Sequence, residues 1–202
     1  MGSMSYAIIG FGAVGQALAR AFERQVIEVT VASTRPPEVL APLAEAIGPS
    51  IIPKSLQDAL GAEIVILAVP FWAHRDVAKL AVSWQGKIVI DVTNAFGVSL
   101  EELDDLPSSV VISRALSGAR LVKAFNHLPA GILGADPSVK GGRRVVFLSS
   151  DDEGAIAQAA VLVEELGFAP VALGGLAEGG LLVQARGQSW APLIFQDLTK
   201  FK

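Results

Sequence analysis

The sequence predicts a doubly wound α/β sheet, and three observations carry that expectation. Continuous apolar runs recur along the chain, among them Ile64–Val69 (IVILAV), Lys87–Val92 (KIVIDV) and Arg144–Ser149 (RVVFLS), with charge confined to their edges. Such runs suit strands buried on both faces, as in a parallel sheet with helices on either side. Between the runs lie stretches with helical spacing of apolar residues, so that strand, helix and strand alternate. The third observation is a glycine loop that follows the first run and opens the first helical stretch.

Each element follows in order. Tyr6–Ile9 reads as the first strand. Ala13–Gln25 carries Val14, Ala17, Leu18, Ala21 and Phe22 on one helical face. Glu28–Ala32 is a second strand and Ile51–Ile52 a short third, followed by a helix near Ser55–Leu60 with Ser55 as its N-cap. Ile64–Val69 and Lys87–Val92 are the fourth and fifth strands, Leu121–Ala124 and Arg144–Ser149 the next two. Ala155–Leu166 is helical, and Asp151, Asp152 and Glu153 place negative charge at its N-terminus. Val171–Leu173 completes the series. Arg35–Pro37, Gly134–Gly142 and Gly174–Gly180 read as flexible connections, and a small C-terminal helical segment is expected beyond them.

The chain has 202 residues and is 51% hydrophobic, enough for a substantial core. Met1, Gly2 and Ser3 ahead of Met4 read as an expression scar. Residues 4–150 are expected to form the nucleotide-binding domain and 151–202 a C-terminal portion that completes the sheet. No uninterrupted apolar stretch of roughly eighteen residues is present, so no membrane span is expected. Nor does a basic region with an apolar block open the chain, and the expected location is cytoplasmic. A net charge of −4 argues against nucleic acid as a partner. With no cysteine, thiol catalysis, disulfides and cysteine-ligated metals are excluded.

The loop Gly10-Phe11-Gly12-Ala13-Val14-Gly15 is a GxGxxG motif in strand–loop–helix context. Gly10 permits a tight turn, Gly12 lets backbone approach a pyrophosphate, and Gly15 lets helix pack close on sheet. The free N–H groups of the helix then face the anion. A dinucleotide fold that takes NAD wants an acid at the end of its second strand. Here Ser33, Thr34 and Arg35 stand there. Hydroxyls and a guanidinium suit the 2′-phosphate of NADP, which an acid would repel. NADP(H) is therefore the expected nucleotide.

In such a sheet the ligand lies along the carboxyl ends of the strands. Beyond the fourth strand come Ala68, Val69 and Pro70, then Phe71 and Trp72, flat apolar groups that suit either the ligand or the core. Beyond the fifth stands Asn94, suited to a ribose or carboxamide contact or to an Asx turn. Beyond the sixth stand Asn126 and His127, candidate contacts to nicotinamide or substrate. No partner acid for His127 is evident, and it reads as a polar wall rather than a catalyst. Two histidines without HxxxH spacing argue against a metal site. Ser117 and Ser189 lack a nucleophile-elbow context.

Taken together, IIGFGAVGQALARAF, VASTR, VILAVPFWA, GKIVIDVTN, LVKAFN and the tail DDEGAIAQAAVLVEELGFAPVALGGLAEGGLLVQ resemble the coenzyme F420-dependent NADP oxidoreductases. The Rossmann domain of that family also resembles the cytosolic part of transmembrane ferric reductases. The resemblance implies hydride transfer between NADPH and a flat acceptor such as F420 or a flavin. It implies that Ser33, Thr34 and Arg35 take the 2′-phosphate, that the Val69–Pro70 turn lines the cofactor, and that the backbone at Pro129 and Ala130 lies by the nicotinamide. It further implies a homodimer, with GGLLVQARGQSWAPLIFQ building both acceptor site and dimer contact. An NADPH-dependent flavin or ferric reductase, or a non-catalytic NADP(H) sensor, are the alternatives. A β-hydroxyacid or imine reductase would need a long helical substrate domain, for which 202 residues leave no room.

Overall fold

The computed structural model describes residues 4–184 and 198–200. The expected scar at positions 1–3 and most of the expected acceptor and dimer segment lie outside these residues. The chain runs β1 (Tyr6–Ile9), α1 (Ala13–Arg24), β2 (Val29–Ala32), α2 (Pro37–Glu45), β3 (Ile51–Pro53), α3 (Leu56–Ala59) and β4 (Ile64–Leu67). It continues through α4 (His74–Leu80), β5 (Ile88–Asp91), α5 (Ser108–Ala115), β6 (Arg120–Ala124), α6 (Ala130–Leu133) and β7 (Ser138–Val139). The last elements are β8 (Gly142–Ser149), α7 (Glu153–Glu165), β9 (Ala169–Ala172), α8 (Gly179–Leu182) and β10 (Thr199–Lys200).

Six strands pair in parallel in the order β3-β2-β1-β4-β5-β6, which is the doubly wound class expected from the sequence. β8 adds antiparallel to β6, and β9 then adds parallel to β8. The pleat explains why the strands read as continuous apolar runs. Ile8, Ile66, Ile90 and Val122 face α1, α2 and α7, which contribute Phe22, Leu40 and Leu162 to that layer. Ala7, Val65, Val89 and Leu121 face the other layer, with Ala59, Val77 and Ile112 of α3, α4 and α5. Both sides of every central strand are therefore dry.

Caps follow the local chemistry. Ser55 accepts from the backbone N–H of Asp58 at the head of α3, and Asp152 accepts from that of Ala155 at the head of α7. Asp152 also takes a two-pronged ion pair from Arg120 at 2.9 and 2.8 Å, which holds its carboxyl well below the usual carboxylate range. Three connections are more ordered than the sequence suggested. Pro37 opens α2 at a position where a missing N–H costs nothing, Ser138–Val139 forms a short hairpin on β8, and Gly179 begins α8. The last large strand starts at Ala169, two residues before the expected Val171.

Candidate active site at the carboxyl edge

The glycine loop is built by close packing. The N–H of Gly10 donates to the carbonyl of Ala32 at 2.8 Å, and that of Ala68 donates to Ile9 at 2.8 Å. The ends of β1, β2 and β4 are thus joined at one point. Gly10 has φ +101°, and a Cβ there would lie 2.3 Å from the Ala68 carbonyl oxygen. A Cβ on Gly15 would lie 2.0 Å from the Gly10 carbonyl oxygen, so α1 sits as close to the turn as backbone allows. Gly12 differs from both. Its φ is an ordinary −81°, and a Cβ there would meet nothing within 4 Å. It faces open space ahead of the first turn of α1, where the leading N–H groups have no partners inside the helix. A pyrophosphate fits that cradle.

At the end of β2, Ser33 Oγ accepts from the backbone N–H of Arg35 at 3.1 Å and shapes a tight turn. Thr34 and Arg35 are exposed, and among the described residues Arg35 makes no ion pair. Beyond β4, Ala68 and Val69 are half-buried and Pro70 is exposed. The two aromatics that follow part company. Phe71 belongs to the core and packs on His74, whereas Trp72 is 67% exposed. Phe96, beyond β5, is 56% exposed and was not singled out in the sequence.

The next loops are tied together. Asn94 donates from Nδ2 to the main-chain oxygen of Asn126 at 2.8 Å. Asn126 returns a bond from its own Nδ2 to Asn94 Oδ1 at 3.1 Å and gives another to the Val183 carbonyl at 2.8 Å. A main-chain oxygen can only accept, so this network fixes the orientation of both amides. Asn126 Oδ1 is left as a buried acceptor with no partner among the described residues. Asn126 is aimed by a three-residue turn in which its N–H donates to Ala124 at 2.8 Å. The central residue, Phe125, is held at φ +60°, a strained conformation for a bulky side chain. Its ring packs edge-on against Phe168, which helps to hold it there.

His127 is buried against Val145 and Phe147, and desolvation pushes it down to about 4. It is neutral at pH 7. His74 is also buried and bonds from Nδ1 to the carbonyl of Phe71. Pro129 is exposed at the head of α6, and Ala130 is half-buried. The residues that sequence reasoning passed over are Asp91 and Lys123, which form a completely buried ion pair at 2.9 Å. The signal was available: the acid ends one apolar run and the lysine lies within another. A cavity of about 950 Å³ lies near the starts of β1 and β2, lined in part by Tyr6, Glu28 and Glu165, and includes none of the motif residues.

A parallel sheet in this strand order, with a glycine loop at the head of its first helix, defines the Rossmann class of nucleotide-binding folds. Within that class the chain is similar to the coenzyme F420-dependent NADP oxidoreductases, and it is an NADP-dependent oxidoreductase. The family model matches residues 5–95. A hypothetical protein from Sinorhizobium meliloti is 39% identical over 99% of this chain and 96% of its own, with a TM-score of 0.88. A protein from Arthrobacter, whose name assigns it as an F420-dependent NADP reductase, is 28% identical over 86% of each chain, with a TM-score of 0.71. A reductive aminase from Aspergillus terreus shares the fold at 19% identity and a TM-score of 0.64, and this chain spans 57% of it. No curated protein matches the chain. No helix among the described residues is long and apolar enough to cross a membrane, and no group of side chains there could hold a metal ion.

Proposed function

We propose that this protein transfers hydride between NADPH and a flat redox acceptor, F420 or a flavin. Gly12 and the head of α1 receive the pyrophosphate, and Ser33, Thr34 and Arg35 receive the 2′-phosphate. Ala68, Val69 and Pro70 line the nucleotide's path, and Asn94, Asn126 and Ala130 hold the nicotinamide end. The orphaned Oδ1 of Asn126 suits an N–H donor such as a carboxamide. NADPH supplies a hydride, two electrons with one proton, and water supplies the second proton that the reduced acceptor needs. The protein's part is alignment and exclusion of water.

One observation carries the reading of the acceptor. Trp72 and Phe96 stand exposed beyond adjacent strands at this edge, while three titratable side chains of the strand ends are withheld from solvent. His127 is neutral and buried, and Asp91 and Lys123 are paired away from solvent. Flat apolar surface without a proton donor favours direct hydride transfer to a planar ring over reduction of a simple ketone. Leu181 and Leu182, exposed on α8, support pairing with a second copy at this end of the chain.

The test is anaerobic NADPH oxidation scanned across F420, FMN, FAD, riboflavin, quinones and ferric chelates, with NADH in parallel. Turnover with F420 or a flavin is expected. Turnover with ferric chelates alone overturns the planar acceptor. Tight NADPH binding without turnover on any acceptor overturns the catalytic reading in favour of a sensor.

A further inference from the structure

Asp91 and Lys123 lie in register across β5 and β6, in the last residues before both strands give way to the loops of the site. Their side chains are wholly buried. Taking both charges out of water is costly unless every bond is well made, and the bonds here have a particular direction. Lys123 Nζ donates to Asp91 Oδ2 at 2.9 Å and to the main-chain oxygen of Thr93. Asp91 Oδ1 accepts from the N–H of Thr93 at 2.8 Å. Both backbone polar groups of Thr93 are therefore gripped by the pair, and the next residue is Asn94. On the facing strand, two residues beyond Lys123, the strained turn at Phe125 aims Asn126. Two tiers of bonding follow, a charged one at Asp91, Lys123 and Thr93 and an amide one at Asn94 and Asn126.

We propose that Lys123, with Asp91, is a positioning residue for hydride transfer: it clamps Thr93 so that Asn94 meets Asn126 at the nicotinamide end of the site. An ion pair serving only to join two strands would not need Lys123 to reach a carbonyl in the following loop. The inference rests on Asn94 and Asn126 forming that end of the site. The pyrophosphate and 2′-phosphate contacts lie on β1, α1 and β2, so the clamp acts on geometry at the reacting end rather than on nucleotide affinity.

The test is the variant Asp91→Asn/Lys123→Met, compared with Asn94→Ala and with the triple variant. The asparagine keeps an oxygen for the Thr93 N–H, while the change removes both charges and the lysine's bridge. Turnover is measured with NADPH and F420, with FMN in parallel, and NADPH affinity by fluorescence titration without acceptor. Expected are an NADPH Kd within about threefold of wild type and a kcat reduced about ten- to a hundredfold, as misplacement of a reacting group produces. The losses from the clamp and from Asn94→Ala should combine less than additively. If the folded variant keeps wild-type kcat while Asn94→Ala is impaired, the inference alone fails. If Asn94→Ala itself turns over at the wild-type rate, the placement of the nicotinamide end fails and takes the inference with it. Asp91→Asn/Lys123→Leu, which likewise removes the lysine's bridge and leaves no buried charge without its partner, carries the same comparison should the methionine variant not fold.

Discussion

Nε2 of His127 lies 3.3 Å from the carbonyl oxygen of Val145, so this nitrogen carries the ring's proton. Nδ1 is left as a buried acceptor without a partner among the described residues. Burial pushes the histidine down to about 4, and the Val145 carbonyl only partly opposes it. A histidine lowered on folding contributes stability that is whole above its unfolded value near 6.5. That stability is lost as the pH falls towards 4, because only the unfolded chain takes up the proton there. The full difference is on the order of 3 kcal/mol, or roughly 6–12 °C in Tm for a chain of this size. The expected result is a Tm that falls from pH 6.5 to 4 in the wild type. His127→Gln, which keeps a donor for Val145, should show a flatter limb over that window. Parallel limbs in the two proteins would remove His127 as its cause. The acid limb belonging to Asp152 lies lower, below its unfolded value, and leaves this window clear.

Arg35 is the residue proposed to govern the choice of nucleotide. Its turn is shaped by Ser33, and its guanidinium is exposed with no ion pair among the described residues. Hydrogen bonds to a charged group contribute about 1.5–3 kcal/mol, and an exposed site belongs at the lower end. Arg35→Ala is expected to raise the Kd for NADPH about tenfold and to leave that for NADH within about twofold. Titration of both nucleotides at two salt concentrations checks this, since the NADPH preference should also shrink as salt rises. Equal weakening of both nucleotides would move the 2′-phosphate away from Arg35.

The strands and the longer helices were legible because the physics that forms them is periodic. Ile64–Leu67 and Ile88–Asp91 read as strands since both of their faces are buried, and α7 since its apolar spacing is long and its N-cap is an aspartate. Short or irregular elements were not. α2 begins in a proline pair and contains Pro42, which reads as a loop, and α5 is rich in β-branched residues. The exposure that separates Phe71 from Trp72 has no sequence signature, since one residue shifts a side chain from core to solvent. The bond between Asn94 and Asn126 depends on bends at two strand ends, and the positive φ of Phe125 is imposed by tertiary packing. The Asp91–Lys123 pair was legible in part: two charges placed late in neighbouring parallel runs must either pair or break the sheet.

The three glycines of the loop make separable predictions, because at only one of them would a Cβ meet no atom of the described residues. At Gly10 an alanine suffers both the positive φ, about 1–3 kcal/mol, and a Cβ 2.3 Å from the Ala68 carbonyl oxygen. At Gly15 an alanine meets the Gly10 carbonyl oxygen at 2.0 Å. Both substitutions should lower Tm by many degrees and impair folding. Gly12 has room for a Cβ and ordinary torsions, so Gly12→Ala costs at most about 1 kcal/mol at a helix N-cap, or about 4 °C in Tm. Yet the space that its Cβ enters is the cradle assigned to the pyrophosphate. The expected outcome is a near-normal melt with NADPH affinity reduced at least about tenfold. Calorimetric melting and nucleotide titration on the same preparation decide the matter. A Gly12→Ala protein that melts normally and binds NADPH as the wild type does would mean that the pyrophosphate lies elsewhere along the carboxyl edge. A protein that loses stability and binding together would mean that Gly12, like its two neighbours, is held by the fold and not by the ligand.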